Sequence, residues 1–540
     1  MWSARWLWLC VGLAILFGVF FRVEHIERRS IWTDETWTAL RLSGHSYADV
    51  RALFDDATHS DAQILNLQRV GPSSTLAETV SGLAAEEPQH PPLFYAIDRY
   101  WAALTGSGVA DIRFPAMVFS VLAIAGVFWF CIELTGSGVA AAAAAALMAV
   151  SPFFVDYAGQ AREYSLWTAM IAITSALLLR TARRPNLGGW LLYGLAMTIG
   201  LYSDLLMVLV LLGHAVYVGI SYRRERKVLG AFAAAGAGSL VLFLPWLAIC
   251  ISEHQRMVSA NAWILEPYPW RVILGKWIFN TGTVLFDAEY ANMRLIPIAG
   301  VMLVLIAVTF LVFLWEDRTK ARTMLLALAA AVALPQVAVD IATHGHESSI
   351  ARYMTPLWLV LLVAVALFFA RRMERGGGAL HSGWFVAFCA VLAVSTISSA
   401  INSRAVGWWD NNDDYPWTRM AAAVNTVEDP FVLSEQHAAA VLVMSHYVKP
   451  ATHFYLFRDV PPALPSAAAG GFLLAPSVRT VDEVAHLQYQ MTPIAIQPYT
   501  QASAAVLKLH EAELAKASHP TRSIQQASFL WRLARPLAER

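Results

Sequence analysis

Charge is what this 540-residue chain is short of. Only 14% of its residues are Asp, Glu, Lys or Arg, and 39 acidic residues balance 39 basic ones to a formal net charge of +0. With a pI near 7.3, that balance excludes the cationic field by which proteins gather nucleic acid. Cysteine is scarcer: Cys10, Cys131, Cys250 and Cys389 each lie in an apolar run. That placement excludes a disulfide framework or a thiolate metal site and predicts four small buried hydrophobes. Solenoid repeats are absent, and low complexity is confined to the alanine-rich stretch 139–146.

What is abundant is apolar surface. Hydrophobic residues make up 57% of the chain and aromatics 12%, including 20 Trp and 17 Tyr, and the mean hydropathy is +0.50. A soluble core has no room for so much, so the chain belongs in a bilayer, with its amphipathic rings at the membrane–water interface. Apolar runs long enough to span a membrane lie near 5–23, 112–132, 137–155, 164–180, 188–206, 206–222, 229–251, 295–315, 322–342, 353–370 and 381–400. The first reads as a retained span, because no small-residue cleavage site follows Phe21 before Arg22. The expected fold is therefore an α-helical polytopic membrane protein of about eleven helices.

The segment from His90 to Trp101 is either a twelfth span or an interfacial helix, and basic residues decide between them. If it lies at the interface, the links around Arg180–Arg184, Arg223–Lys227, Lys320–Arg322 and Arg371–Arg375 all face the cytoplasm, as the positive-inside rule requires. The first loop, within 24–111, then faces outward; from Glu24 to Gln89 it holds eleven acids and five arginines. So do the aromatic loop 252–294, which reads as a partly helical cover, and the tail. The transmembrane domain is expected at 1–400 and a small extracytoplasmic α/β domain at 401–540. In that tail, helix-like runs (421–427, 438–448, 481–491, 502–517) alternate with short strand-like ones (431–433, 454–457, 472–474, 494–496).

Four outer-face patterns carry residues that chemistry could use. Asp34-Glu35, between Trp32 and Trp37, is an acid pair suited to taking a proton from an acceptor hydroxyl or holding a divalent cation. His90 precedes Pro91-Pro92, whose fixed backbone directs the entry of the following helix. Asp156-Tyr157-Ala158-Gly159-Gln160-Ala161-Arg162-Glu163-Tyr164 sits between two spans, and its Arg162 fork with Tyr164 suits a lipid-linked phosphate. His344-Gly345-His346 followed by Arg352-Tyr353 repeats that chemistry. Each pattern also has a plain structural reading: solvated acids, a proline-stopped loop, an Arg–carboxylate pair, and a His-x-His without further ligands.

Taken in order, Asp34-Glu35, His90-Pro-Pro-Leu-Phe-Tyr, Arg113-Phe-Pro, Ser151-Pro with Tyr157, Ala161-Arg162 and Tyr164, and Arg352-Tyr353 with Pro356 resemble a known motif series. It is that of the bacterial dolichyl-phosphate-mannose-protein mannosyltransferase-like glycosyltransferases, which include the lipid A aminoarabinose transferase. The resemblance covers about the first 370 residues and implies the GT-C fold. It further implies a polyprenyl-phosphate sugar donor, Asp34 as the first-loop acid with Glu35 in support, and Arg162, Tyr164, Arg352 and Tyr353 near the donor phosphate. His90, Asp156 and His346 are then substrate-binding candidates. Gln160 stands where relatives carry an acid, and His90 where the aminoarabinose transferases carry Lys. The expected reaction is inverting displacement at the anomeric carbon by an acceptor hydroxyl, in the inner membrane. The alternative from another class is a flippase or noncatalytic binder of a lipid-linked saccharide, which predicts polar sites on both faces.

Overall fold

Eight helices among the described residues are long and apolar enough to cross a bilayer. In the computed structural model the described residues are 4–24, 26–287, 295–375, 378–407, 415–435, 437–494 and 530–534. A bent pair, Gly138–Val150 and Pro152–Ala158, and two shorter apolar helices, Leu187–Ser203 and Met207–Ser221, complete the series expected from the sequence. Their outward faces are apolar, as lipid requires: Ile296–Glu316 exposes Val301, Val304, Val308, Leu311 and Trp315. The segment after His90 forms Leu93–Thr105, 13 residues, or about 20 Å of helix, too short for a hydrocarbon core of about 30 Å. The chain divides into two compact units, one of residues 1–26, 83–97 and 113–405, the other of 27–82, 98–112 and 406–540.

In the first unit the basic links meet at one end of the helical bundle. Arg183 pairs with Glu133, Arg371 with Asp317 and Ser137 with Glu374, while Lys320 sits 3.5 Å from the Tyr222 ring centroid. Side chains at that end also start the helices. Ser137 accepts from Ala140 N at 3.0 Å, Asn186 from Gly189 N at 2.8 Å and Thr319 from Ala321 N at 3.1 Å, which satisfies amides the helices cannot.

The run expected as one span at 137–155 is instead broken. Pro152 has no N–H, and it holds Ser151 out of helical conformation, at φ −66°, ψ 122°, so the two pieces meet at 59°. Carbonyls before the break lose their helical donors, and Arg22 supplies others. Its guanidinium donates to Ala149 O (2.5 Å), Met148 O (3.2 Å), Gly18 O (2.8 Å) and Ser120 Oγ (2.8 Å), while Ser399 Oγ donates to Val150 O at 2.8 Å. Gly18 permits this approach, since a Cβ there would lie 2.2 Å from Ala149 O. Arg22, expected as the end of the first span, is 2% exposed.

The second unit holds a six-stranded sheet. Its strands are β1 (Ala57–Ser60), β2 (Phe431–Glu435), β3 (His453–Phe457), β4 (Phe472–Leu474), β5 (Gln490–Pro493) and β6 (Leu530–Ala534), in the order β1-β3-β2-β4-β6-β5. Parallel pairing of β2 with β3 and β4 and the helices Ala438–Met444 and Val478–His486 make it α/β. Leu433, Phe457, Leu473, Val484 and Leu533 form its core. First-loop strand β1 pairs antiparallel with β3, Ala57 opposite Leu456. The helix-like run at 502–517 lies outside the described residues.

Two outcomes are expected. Arg22→Ala strands at least two buried carbonyls and should destabilise the protein by about 3 kcal/mol or more, with Arg22→Lys recovering part, as read by thermal unfolding in detergent. Cys10 and Cys389, all four cysteines being free, have sulfurs 3.8 Å apart on the first and last long helices. Mild oxidation should therefore join these two in preference to Cys131 or Cys250, as mapped by peptide mass spectrometry.

Candidate functional site

The turn after the broken helix gathers ionisable side chains that are costly to bury, and each is answered by another. Arg162 and Glu163 are 2% and 1% exposed. His90 Nδ1 lies 2.8 Å from Glu163 Oε1, and Arg162 Nη2 lies 3.0 Å from His90 Nε2. Arg162 can only donate, so His90 Nε2 accepts from it and Nδ1–H donates to Glu163. Tyr95 Oη donates to Glu163 Oε2 at 3.3 Å, and Arg162 Nε is 3.4 Å from the same oxygen. The guanidinium carbon lies 5.8 Å from the Tyr95 ring centroid and 5.9 Å from that of Tyr164, close enough for cation–π attraction.

Burial raises the Glu163 pKa, but Arg162 and then His90 outweigh it and hold the carboxyl at about 2. Burial, with the charges of Glu163 and Glu87 adding to it against the pull of Arg162, pushes Tyr95 well above the ordinary tyrosine value. Asp204 goes the other way: burial first, then the charge of Glu163, carries it to about 8 against an opposing pull from Arg162. Asp156 is fully buried on the preceding helix, where its charge acts on Arg22. Gln160 is also buried, and both its amide atoms are without a hydrogen-bond partner.

A second group lies where the loop after Ser252 meets the segment 344–354. The loop is partly helical, with His254–Ala260 and Trp270–Thr283, and it docks through His346 N to Ile264 O (3.0 Å) and Tyr268 N to His344 O (3.2 Å). Asp340 ties the turn by accepting from Glu347 N (2.6 Å) and Ser348 N (3.0 Å). The His346 ring packs 4.2 Å from Tyr268 and 5.7 Å from Trp263. Arg352 lies 5.9 Å from Trp263 and 5.3 Å from Tyr353, and Lys276 lies 5.0 Å from Tyr268. Burial, helped by Lys276, lowers His346 to about 4, so it is a neutral hydrogen-bonding group at ordinary pH.

In the second unit, Asp34 and Glu35 open the helix Thr33–Leu42, where the helix dipole favours acids. Asp34 is half-buried and Glu35 only 1% exposed, with Asp98 wholly buried. Both Asp98 carboxyl oxygens are without a hydrogen-bond partner, and burial, then the charge of Glu35, pushes its pKa well up. Among the described residues no three His, Cys, Asp or Glu side chains converge as a metal site would need.

The structure thus joins His90 to Arg162 and Tyr164, joins His346 to Arg352 and Tyr353, and keeps Asp34 beside Glu35. Sequence reasoning missed Glu163 as the hub, Tyr95, Asp98 and Lys276. Tyr95 lay inside the quoted His90 motif, and Glu163 beside Arg162; no local pattern marks the other two.

The chain is similar, over part of its sequence and in its fold, to known membrane proteins. Residues 89–249 match the family described as Dolichyl-phosphate-mannose-protein mannosyltransferase. In fold it is similar to ArnT from Cupriavidus metallidurans bound to undecaprenyl phosphate, at 12% identity and a TM-score of 0.51, over 92% of this chain and 97% of that one. It is also similar to the Archaeoglobus fulgidus oligosaccharyltransferase tethered with an acceptor peptide, at 12% identity and a TM-score of 0.50, over 91% of this chain and 69% of that one. No curated protein matches it in sequence.

Asp204 makes a testable contribution to stability. Its pKa rises on folding from the ordinary 3.8 to about 8, so between those values the folded state holds the extra proton. The contribution is fully present below about 4 and is lost as pH rises through about 8. Asp204→Asn should therefore lose less thermal stability than wild type between pH 5 and pH 8, and an equal fall in both would contradict the assignment.

Proposed function

We propose that this protein transfers a hexosyl or pentosyl group from a polyprenyl-phosphate sugar to an acceptor hydroxyl at the extracytoplasmic face of the inner membrane. The observation that carries this reading is the buried Arg162–His90–Glu163 network. Glu163 stays ionised and His90 accepts from Arg162, so a permanently charged guanidinium, the group suited to a phosphate, is fixed in place. The sidedness rests on the basic links collected at one end of the bundle, which the positive-inside rule assigns to the cytoplasm. The undecaprenyl phosphate in the ArnT structure supports a lipid-linked donor.

In this scheme Arg162 and Tyr164, and also Arg352 and Tyr353, hold donor phosphate oxygens and stabilise the charge that grows on them as the anomeric bond breaks. His90, Asp156 and neutral His346 order the substrate. Asp34, with Glu35 behind it, takes the proton of the acceptor hydroxyl, which attacks the anomeric carbon from the side opposite the phosphate. The product is inverted.

The test uses the full chain in nanodiscs with a panel of radiolabelled polyprenyl-phosphate sugars and membrane extract as acceptor. Asp34→Asn should bind donor as wild type does and turn over about 10²- to 10⁴-fold more slowly, and product NMR should show inversion. Equal turnover by the two proteins would remove Asp34 as base, and a retained configuration would overturn the displacement.

A further inference from the structure

A cavity of about 330 Å³ in the second unit is lined by residues that the proposed reaction does not use. It forms where three stretches of chain meet: Leu65 to Arg69, the turn Gly106-Ser107-Gly108 with Asp111, and His446. Its volume lies within the range of small-molecule sites.

Opposite charges stand on its walls without neutralising each other. The Arg69 guanidinium is exposed and makes no hydrogen bond or ion pair among the described residues. Asp61, an acid on which its charge acts, is pushed by burial up to about 7 in spite of Arg69, so it offers only part of a charge. Asp111 accepts from Gly108 N at 3.0 Å through Oδ2 and pairs with no cation among the described residues.

The glycines hold that carboxylate in place. A Cβ at Gly106 would lie 2.8 Å from Asp111 Oδ2 and one at Gly108 3.0 Å, and Gly106 has φ +125°. Ser107 Oγ accepts from Val70 N at 2.9 Å, and its own proton goes to no protein group. Gln68 spends its amide N–H groups on Leu442 O and Ser445 Oγ, so its Oε1 accepts from His446 Nε2 at 3.0 Å and fixes the ring at the cavity wall.

One cavity with an unpaired guanidinium, a hydroxyl proton and an unpaired carboxylate fits a ligand that carries a phosphate and an ammonium a few atoms apart. The cavity adjoins the first turn of Val109–Thr135, where a transmembrane helix leaves the hydrocarbon and lipid headgroups lie. We infer that it binds the phosphoethanolamine headgroup of a membrane phospholipid, phosphate oxygens on Arg69 and Ser107 and the ammonium on Asp111. Such a lipid tacks this part of the second unit to the membrane surface.

The experiment takes the full chain in detergent and measures binding of dihexanoyl-phosphatidylethanolamine, dihexanoyl-phosphatidylglycerol and free O-phosphoethanolamine. Wild type should prefer the ethanolamine lipid to the glycerol lipid. Arg69→Ser should weaken both lipids, and Asp111→Asn the ethanolamine lipid alone, each by about tenfold, as expected for a hydrogen bond to a charged group. Asn keeps an acceptor for Gly108 N, and Arg69 is exposed, so unfolding temperatures should not move. Weaker binding of O-phosphoethanolamine than of the lipid assigns a membrane source, whereas equal binding overturns the lipid and leaves a soluble headgroup. Equal affinity of wild type for the two lipids, or lipid binding unchanged in both variants, overturns the site.

Discussion

The contact between Arg22 and the end of the helix Gly138–Val150 is the constraint on which the rest of the first unit depends. A helix broken inside a bilayer leaves carbonyls with neither helix nor water to satisfy them, and such a break persists only where protein supplies the missing donors. Here one guanidinium from the first helix meets Met148 O and Ala149 O, and the hydroxyl of Ser399 meets Val150 O. Ser151 Oγ in turn donates to Val284 O at 2.6 Å. Three parts of the chain distant in sequence thus stabilise one kink. The kink aims the helix Pro152–Ala158, and with it the turn that carries Gln160, Arg162 and Glu163. Without the break, a straight helix would carry Asp156 onward along the same axis, and the buried polar turn would have no origin.

Beyond the kink, neighbouring carboxyls divide protonation between them. Glu163 and Asp204 act on each other as like charges, and both are buried, so ionising both would be expensive. The structure resolves this by giving Glu163 the partners Arg162, His90 and Tyr95 and giving Asp204 almost none. One acid is held at about 2 and the other at about 8, so between those values Glu163 carries the charge and Asp204 the proton. In the proposed transfer, Arg162 therefore works beside a carboxylate whose charge is fixed across the physiological range. A site preset in this way needs little reorganisation when charge develops in a transition state.

The helical series was legible in the sequence because the bilayer reduces it to run length and apolar content. The bend at Ser151 was not read, although Pro152 stood in plain view: proline inside an apolar run permits either a kinked continuous helix or a full break, and Arg22, more than a hundred residues away, decides. The strands Phe431–Glu435, His453–Phe457 and Phe472–Leu474 fall on runs recognisable from their β-formers. Ala57–Ser60 does not, because Ala-Thr-His-Ser has neither the alternation nor the hydrophobicity of a strand and becomes one only by pairing with His453–Phe457. In the site, Arg162, His90 and Arg352 were visible through their motifs. Glu163 was visible only as an incidental partner, and Asp98 and Lys276 had no local signature, since their significance lies in what folding brings against them.

Asp98 bears on how the acid pair of the second unit divides its work. A wholly buried carboxyl with no hydrogen-bond partner on either oxygen is tolerable only when protonated, and the charge of Glu35 strengthens that preference. Glu35 is itself almost fully buried, so moving a second charge onto this pair would place two carboxylates in one dry region. Asp34 is half-buried and sits one residue nearer the start of the helix, so of the two acids it is the more open to an incoming hydroxyl. Asymmetric burial thus supports the proposed assignment of Asp34, with Glu35 behind it, as the base. Asp98, kept protonated, adds no second charge beside Glu35.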